Sequence, residues 1–196
     1  MNSSIKNKIT EVIETHKKML SQLEASGPGV IADIADAITK SIKKGGTVYI
    51  CGNGGSAADA QHIASELVNR FECNRKALPA VAFTTDTSVI TSIGNDNSYE
   101  AIFARQAEAF VKRGDVFWAI STSGSSPNVL AAVKVARQKR ALIIAFTGKP
   151  NSSLERFADI CLCADSKSAA RSQEIHQLAY HIICGLVEQN FKDALI

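Results

Sequence analysis

The sequence predicts an α/β protein: a three-layer αβα sandwich around a doubly wound, mainly parallel five-stranded sheet, preceded by N-terminal helices. Three observations carry this expectation. Short, almost continuously apolar runs recur at residues 47–51, 80–84, 116–120, 142–146 and 160–163. Strands covered on both faces read this way, because neither side meets water. Stretches of helical periodicity separate the runs, so each strand returns to the sheet by a crossover that is right-handed for L-residues. The richest Gly and Ser segments follow two of the runs, at the strand ends where a doubly wound sheet binds ligands.

In chain order, Ile5, Ile9, Ile13 and Leu20 keep helical spacing. Gly27-Pro28-Gly29 is expected to break that helix, because proline lacks the N–H that continues it. A second helix is expected over 30–42, with Ile31, Ile34, Ala37 and Ile38 apolar, and Gly45-Gly46 ends it. The strand at 47–51 runs through a Gly-rich turn into a helix over 56–71. The strand at 80–84 leads into a polar stretch, then a helix over 101–112. The strand at 116–120 meets a Ser/Thr loop and a helix starting at Pro127, a residue suited to the first helical position. Strands at 142–146 and 160–163 and a closing helix over 168–190 complete the pattern. One domain is expected over 1–196, with 1–45 as a helical extension and 46–196 as the α/β core.

Composition removes other classes. Of 196 residues, 45% are hydrophobic and 21% charged, too apolar for a disordered chain. The length supports a full core without disulfide or metal staples. The net charge is only +3. The densest basic run, residues 137–140, reads as solvated cations at a helix C-terminus. Neither nucleic acid nor a membrane surface is therefore expected as a partner. The cysteines Cys51, Cys73, Cys161, Cys163 and Cys184 are odd in number and fit no disulfide or zinc spacing. Cys161 and Cys163 fall on one strand face and are expected as buried, reduced thiols. The N-terminus lacks an apolar signal core, and apolar runs such as 141–146 are far too short to span a bilayer, so a cytoplasmic location is expected.

Two loops suggest chemistry. In Cys51-Gly52-Asn53-Gly54-Gly55-Ser56, glycines let a ligand approach the backbone, and the following helix N-terminus favours an anion. The loop matches neither the dinucleotide fingerprint nor a P-loop, and a plain turn explains it equally well. Residues 121–126 carry five hydroxyls in six positions. A helix cap needs one, so the surplus points to a phosphate cradle made of hydroxyls and backbone N–H groups. Two further groups are titratable or ligating. His62 and Glu66 stand four apart on one helix face. Gln173, His176, Gln177 and His181 lie on the closing helix; Gln173 and His181 are roughly 12 Å apart in rise and about 80° in azimuth. Read by themselves, the closing-helix residues fit surface or interface polar residues better than a site; the His62–Glu66 pair would ordinarily do so too, but its helix starts at the Gly-rich loop, which favours function.

The segments CGNGGSAADAQHIASEL, SIGND, ISTSGSSPNV and RSQEIHQLAYH together resemble the bacterial phosphoheptose isomerases within the sugar isomerase (SIS) domain family, along essentially the whole chain. The resemblance implies zinc as cofactor, held by His62, Glu66, Gln173 and His181. It implies Glu66 and His181 as the catalytic pair. It places Asn53, Gly54 and Gly55 along the substrate and Ser56 near its phosphate, with Glu66, Arg70, Gln173, Asn95 and Asp96 near its hydroxyls or charge. Ser121, Thr122, Ser123 and Ser126 would hold the phosphate. Local readings compete: Asn95-Asp96 suits an Asx turn, and Arg70 suits a helix C-terminus. His176 has no implied metal role and is assigned to packing or an interface. Ala170 occupies a position that is acidic in some relatives. The implied reaction interconverts sedoheptulose 7-phosphate and D-glycero-D-manno-heptose 7-phosphate through an enediol, early in activated-heptose synthesis. A homotetramer with sites at subunit interfaces is implied as well. The alternatives are a non-catalytic SIS binding module of the kind that associates with the replication initiator, or an isomerase of another sugar phosphate.

Overall fold

In the computed structural model, which describes residues 3–192, five strands form one parallel sheet. They are β1 (Val48–Cys51), β2 (Ala80–Ala82), β3 (Val116–Ser121), β4 (Leu142–Thr147) and β5 (Ile160–Cys163), in the order β2-β1-β3-β4-β5. The helices are α1 (Ser3–Lys43), α2 (Gly55–Val68), α3 (Thr87–Asp96), α4 (Ala104–Phe110), α5 (Pro127–Gln138), α6 (Ser153–Phe157) and α7 (Ala169–Gln189).

Strand side chains alternate between two cores. Val48, Ile50, Trp118, Ile144 and Phe146 pack with α1, α2 and α7. Tyr49, Phe117, Ala119, Ile143 and Ala145 pack with α4, α5 and α6. The sheet is thus covered on both faces, as its unbroken apolar strands require. Trp118 and Phe146, diagonal neighbours on adjacent strands, meet edge to face at 5.0 Å, a favoured aromatic geometry.

The chain departs from its sequence expectations in several places. Gly27-Pro28-Gly29 does not break the first helix: α1 runs unbroken through Pro28 for 41 residues. A proline removes one backbone bond, but packing of the following turns outweighs it. Ile34 and Ile38 are fully buried against the sheet, and α1 lies along α7. The polar stretch after β2 is helix α3, capped by the Asp86 carboxylate, which accepts from Val89 N–H at 2.9 Å. No α3 residue is fully buried; its short apolar stripe of Val89, Ile90 and Ile93 is set among Thr, Ser, Asn and Asp residues, so the stretch read as polar. The helix expected over 101–112 is a 3-10 turn at Tyr99–Ala101 followed by the shorter α4. The short α6 carries a Ser152/Glu155 capping box. Cys161 and Cys163 are partly exposed rather than buried, because β5 is an edge strand; Cys51 and Cys184 are buried, and all five thiols are free.

Candidate active site

The strand order reverses between β1 and β3, which are neighbours whose following loops open a crevice at the sheet's carboxyl edge. The Gly-rich loop after β1 turns through Gly54 at φ 56°, a region that L side chains seldom adopt. At Gly55 the reason for glycine is contact: a Cβ there would overlap the Gln173 amide. Its absence lets a side chain from α7 lie over the first turn of α2. Asn53 and Asn128 exchange amide hydrogen bonds of 2.9 and 2.8 Å, and Asn53 Oδ1 also accepts from the Tyr99 hydroxyl at 3.1 Å. That exchange ties the Gly-rich loop to the N-terminus of α5.

The Ser/Thr loop after β3 gathers its hydroxyls. Ser121 Oγ is 2.9 Å from Ser126 Oγ and 3.3 Å from Ser123 Oγ. Gly124, at φ 63°, reverses the chain so that its N–H donates to the Ser121 carbonyl at 2.9 Å. Ser126 is the N-cap of α5, yet its side chain makes no cap bond; Asn128 Oδ1 accepts from Val129 N–H instead. The hydroxyls are therefore not consumed in capping the helix. They surround its N-terminus, where free N–H groups and the helix dipole favour an anion.

On the α1/α2/α7 side, two helices bring three titratable groups together. His62 Nε2 is 3.0 Å from Glu66 Oε1 and 3.4 Å from His181 Nε2. One ligating atom from each residue can be chosen so that all lie within 4.8 Å of one another. Donors about 2.0–2.1 Å from a tetrahedral zinc lie about 3.3 Å apart, so two imidazoles and a carboxylate at this spacing suit such an ion. Burial and the neighbouring His62 hold the His181 pKa below that of a free imidazole, against an opposing pull from Glu66. Its ring stacks on Phe71 at 5.7 Å. His62 Nδ1 is 3.0 Å from the Tyr180 hydroxyl. Asp59, one turn before His62, has a buried Oδ2 with no hydrogen-bond partner, and burial raises its pKa to about 6.

Below this cluster lies a structural knot. The Glu188 carboxylate accepts from the backbone N–H groups of Phe71, Glu72 and Cys73 at 2.7–2.9 Å. Arg75 Nε lies 3.3 Å from it, close enough for an ion pair though off hydrogen-bond angle, and both side chains are buried. Arg75 donates in turn to the Glu66 and Leu67 carbonyls at 2.7 and 2.9 Å.

Comparison with known proteins identifies the family. Residues 12–148 match the SIS domain family. A phosphoheptose isomerase of a Roseiflexus species is 47% identical over 167 residues, 85% of this chain and 84% of that protein. Phosphoheptose isomerase 1 of Campylobacter jejuni is 42% identical over 94% of this chain and 99% of its own. The structure of a phosphoheptose isomerase from Francisella tularensis superposes with a TM-score of 0.91 at 36% identity, covering 96% of this chain and all of that one. This chain belongs to the phosphoheptose isomerase family of SIS-domain enzymes. More distant solved structures, such as a putative phosphosugar isomerase from Bacteroides fragilis at 15% identity, share the fold.

Within that family framework the predicted site residues divide. His62, Glu66 and His181 come together, as do Ser121, Ser123 and Ser126. Gln173 lies against Gly55 at the start of α2, two helical turns before His62. Arg70 is exposed just beyond the end of α2. Asn95 and Asp96 are exposed in the last turn of α3, not in a separate Asx turn, and bond to each other at 2.8 Å. His176 is buried, with Nε2 3.0 Å from the Thr147 carbonyl, and burial lowers its pKa to about 4, which fits the packing role expected for it. Sequence reasoning missed Asp59, Tyr180, Asn128 and Glu188. Asp59 had a signal, since it precedes His62 by three on the same helix face; the other three depend on tertiary contacts.

Proposed function

We propose that this chain is a zinc-dependent aldose–ketose isomerase that converts sedoheptulose 7-phosphate to D-glycero-D-manno-heptose 7-phosphate. The observation that carries the reading is the convergence of His62, Glu66 and His181 from two helices, one of which starts at the Gly-rich loop. Phosphate binding is assigned to the hydroxyls of Ser121, Thr122, Ser123 and Ser126 with the α5 N-terminus. Asn53, Gly54 and Gly55 would line the sugar chain with Ser56 near the phosphate, and Arg70, Asn95 and Asp96 would complete the contacts.

Zinc is assigned to His62, Glu66, His181 and Gln173; once bound, it would supply Lewis-acid stabilisation of negative charge on the sugar oxygens. The chain's own groups move the protons. A ketose becomes an aldose when a proton leaves C1 and one arrives at C2, while the oxygens exchange theirs. Glu66 takes the C1 proton through the oxygen that does not face His62, and returns it to C2. His181 is assigned the passage of a proton between O1 and O2.

The same reading places the enzyme early in activated-heptose synthesis, in the cytoplasm, as a homotetramer. Self-association is supported by the apolar residues that α1 and α7 leave exposed: Ile5, Ile9, Ile13, Leu178 and Ile182. Among the described residues no helix is long and apolar enough to cross a membrane.

The test is conversion of sedoheptulose 7-phosphate followed by NMR, before chelation, after it, and after zinc add-back. Activity lost on chelation and restored by zinc is expected. A folded, zinc-loaded protein that leaves this sugar unchanged would reject the substrate assignment.

A further inference from the structure

His62 has two ring nitrogens, and the structure gives each a different neighbour. Nε2 faces Glu66 Oε1 at 3.0 Å, and Nδ1 faces the Tyr180 hydroxyl at 3.0 Å. A neutral imidazole carries one proton, so one nitrogen donates and the other accepts. In a metal-free cluster the proton belongs on Nε2, donated to the Glu66 carboxylate, and Tyr180 then donates its own proton to Nδ1. If Nε2 is a ligand, its lone pair is taken up and the proton must move to Nδ1. The Nδ1–Tyr180 bond then reverses: Nδ1–H donates and the tyrosine oxygen accepts.

That reversal frees the tyrosine proton, which needs an acceptor because Tyr180 is buried. The Asp59 carboxylate is electrostatically coupled to the same hydroxyl, and its buried Oδ2 has no hydrogen-bond partner at normal distance and angle. The orphaned oxygen gains a partner in only one of the two arrangements, the one in which His62 Nε2 is a ligand. Carboxylate-anchored ligand histidines owe much of their orientation and basicity to such outer contacts.

We infer that Tyr180 is a positioning residue whose hydroxyl, backed by Asp59, selects the His62 tautomer that presents Nε2 as a metal ligand. This rests on the assignment of His62 to the metal set. The device is a chain of two hydrogen bonds, His62 Nδ1–H to Tyr180 Oη and Tyr180 O–H to Asp59 Oδ2. It joins α2 to α7 and back again, so the two helices must keep their spacing for the ligand to be presented.

The test measures zinc affinity by chelator competition for the wild-type protein, Tyr180→Phe, Asp59→Ala and the double variant. Tyr180→Phe is expected to weaken zinc about tenfold or more. Asp59→Ala should weaken it less, and should cost almost nothing further once the hydroxyl is gone, since the two act as one chain. The melting temperature of each metal-free variant separates loss of packing from loss of ligand presentation; Tyr180→Phe is expected to melt within a few degrees of wild type. Imidazole ¹⁵N–¹H spectra of the zinc-loaded wild type should show the His62 proton on Nδ1. Equal zinc affinity in Tyr180→Phe and wild type, additive losses in the double variant, or a loaded His62 protonated on Nε2 would each overturn the inference. A wild-type protein that binds no zinc would instead remove the metal assignment on which it depends.

Discussion

Two parts of the α2–α7 pair treat their carboxylates in opposite ways. Towards the C-terminal ends, Glu188 meets three backbone donors and an arginine, and its side chain is 2% exposed. Further back along α2, Asp59 keeps a buried oxygen with no partner, and Glu66 shares one oxygen with a histidine. Burial raises the pKa of both Asp59 and Glu188. At Glu188 the donors and Arg75 outweigh it and leave a net lowering; at Asp59 the opposing contacts are too weak. A saturated carboxylate holds a fold together. An unsaturated one beside two imidazoles is a group kept available for another partner.

The largest effect that would sharpen this contrast is on turnover. Glu66→Gln keeps the shape of the side chain but removes its basicity. It is expected to lower kcat by roughly a thousandfold, within the range for loss of a general base, with the melting temperature nearly unchanged. Single-turnover kinetics with thermal melts check both halves, and substantial residual activity would remove Glu66 as the base.

Next in size is the knot. Glu188→Ala leaves Arg75 and three backbone N–H groups buried without their acceptor, and breaking a buried pair costs about 3–5 kcal/mol. Denaturant titration reads the loss. Because the folded pKa of Glu188 is lowered, its stabilisation is present above the ordinary carboxylate pKa. It is lost as pH falls through the folded value, so wild type and Glu188→Ala should converge in stability under acid. A constant gap down to low pH would show that Glu188 acts through packing alone.

The smallest effect has the opposite sign. Asp59 has a folded pKa raised to about 6, so ionising it costs the folded protein stability as pH rises from about 4 to about 6. Asp59→Asn should remove that slope and leave metal-free stability at pH 7 equal to or slightly above wild type. Urea midpoints at pH 4 and pH 7 measure it. A variant much less stable at pH 7 would place Asp59 with Glu188 among the structural carboxylates.

Much of this was legible from residues alone, for physical reasons. The buried strands announced themselves because apolar runs such as Val116–Ile120 have no solvent face. The Ser/Thr loop stood out because its hydroxyls exceed what a cap requires. Helix α3 was hidden because its short apolar stripe is set among polar residues, and the continuity of α1 was hidden because Pro28 argues locally for a break that packing overrides. In the site, the His62–Glu66 pair is written in helical spacing. His181 needed the fold to bring α7 beside α2, and the Family resemblance had to supply what periodicity could not. Tyr180 was invisible beside it: nothing in its neighbours along the chain tells an apolar filler from a hydroxyl aimed at a histidine.

The Arg75 guanidinium has one more consequence. The carbonyls at the C-terminal end of a helix usually face water and open first, but here a buried side chain from the next loop occupies those of Glu66 and Leu67. The turn that carries Glu66 is thereby shielded from end fraying. Its amide protons should exchange with solvent only when the whole domain opens, which makes this short stretch of α2 a clock for global unfolding.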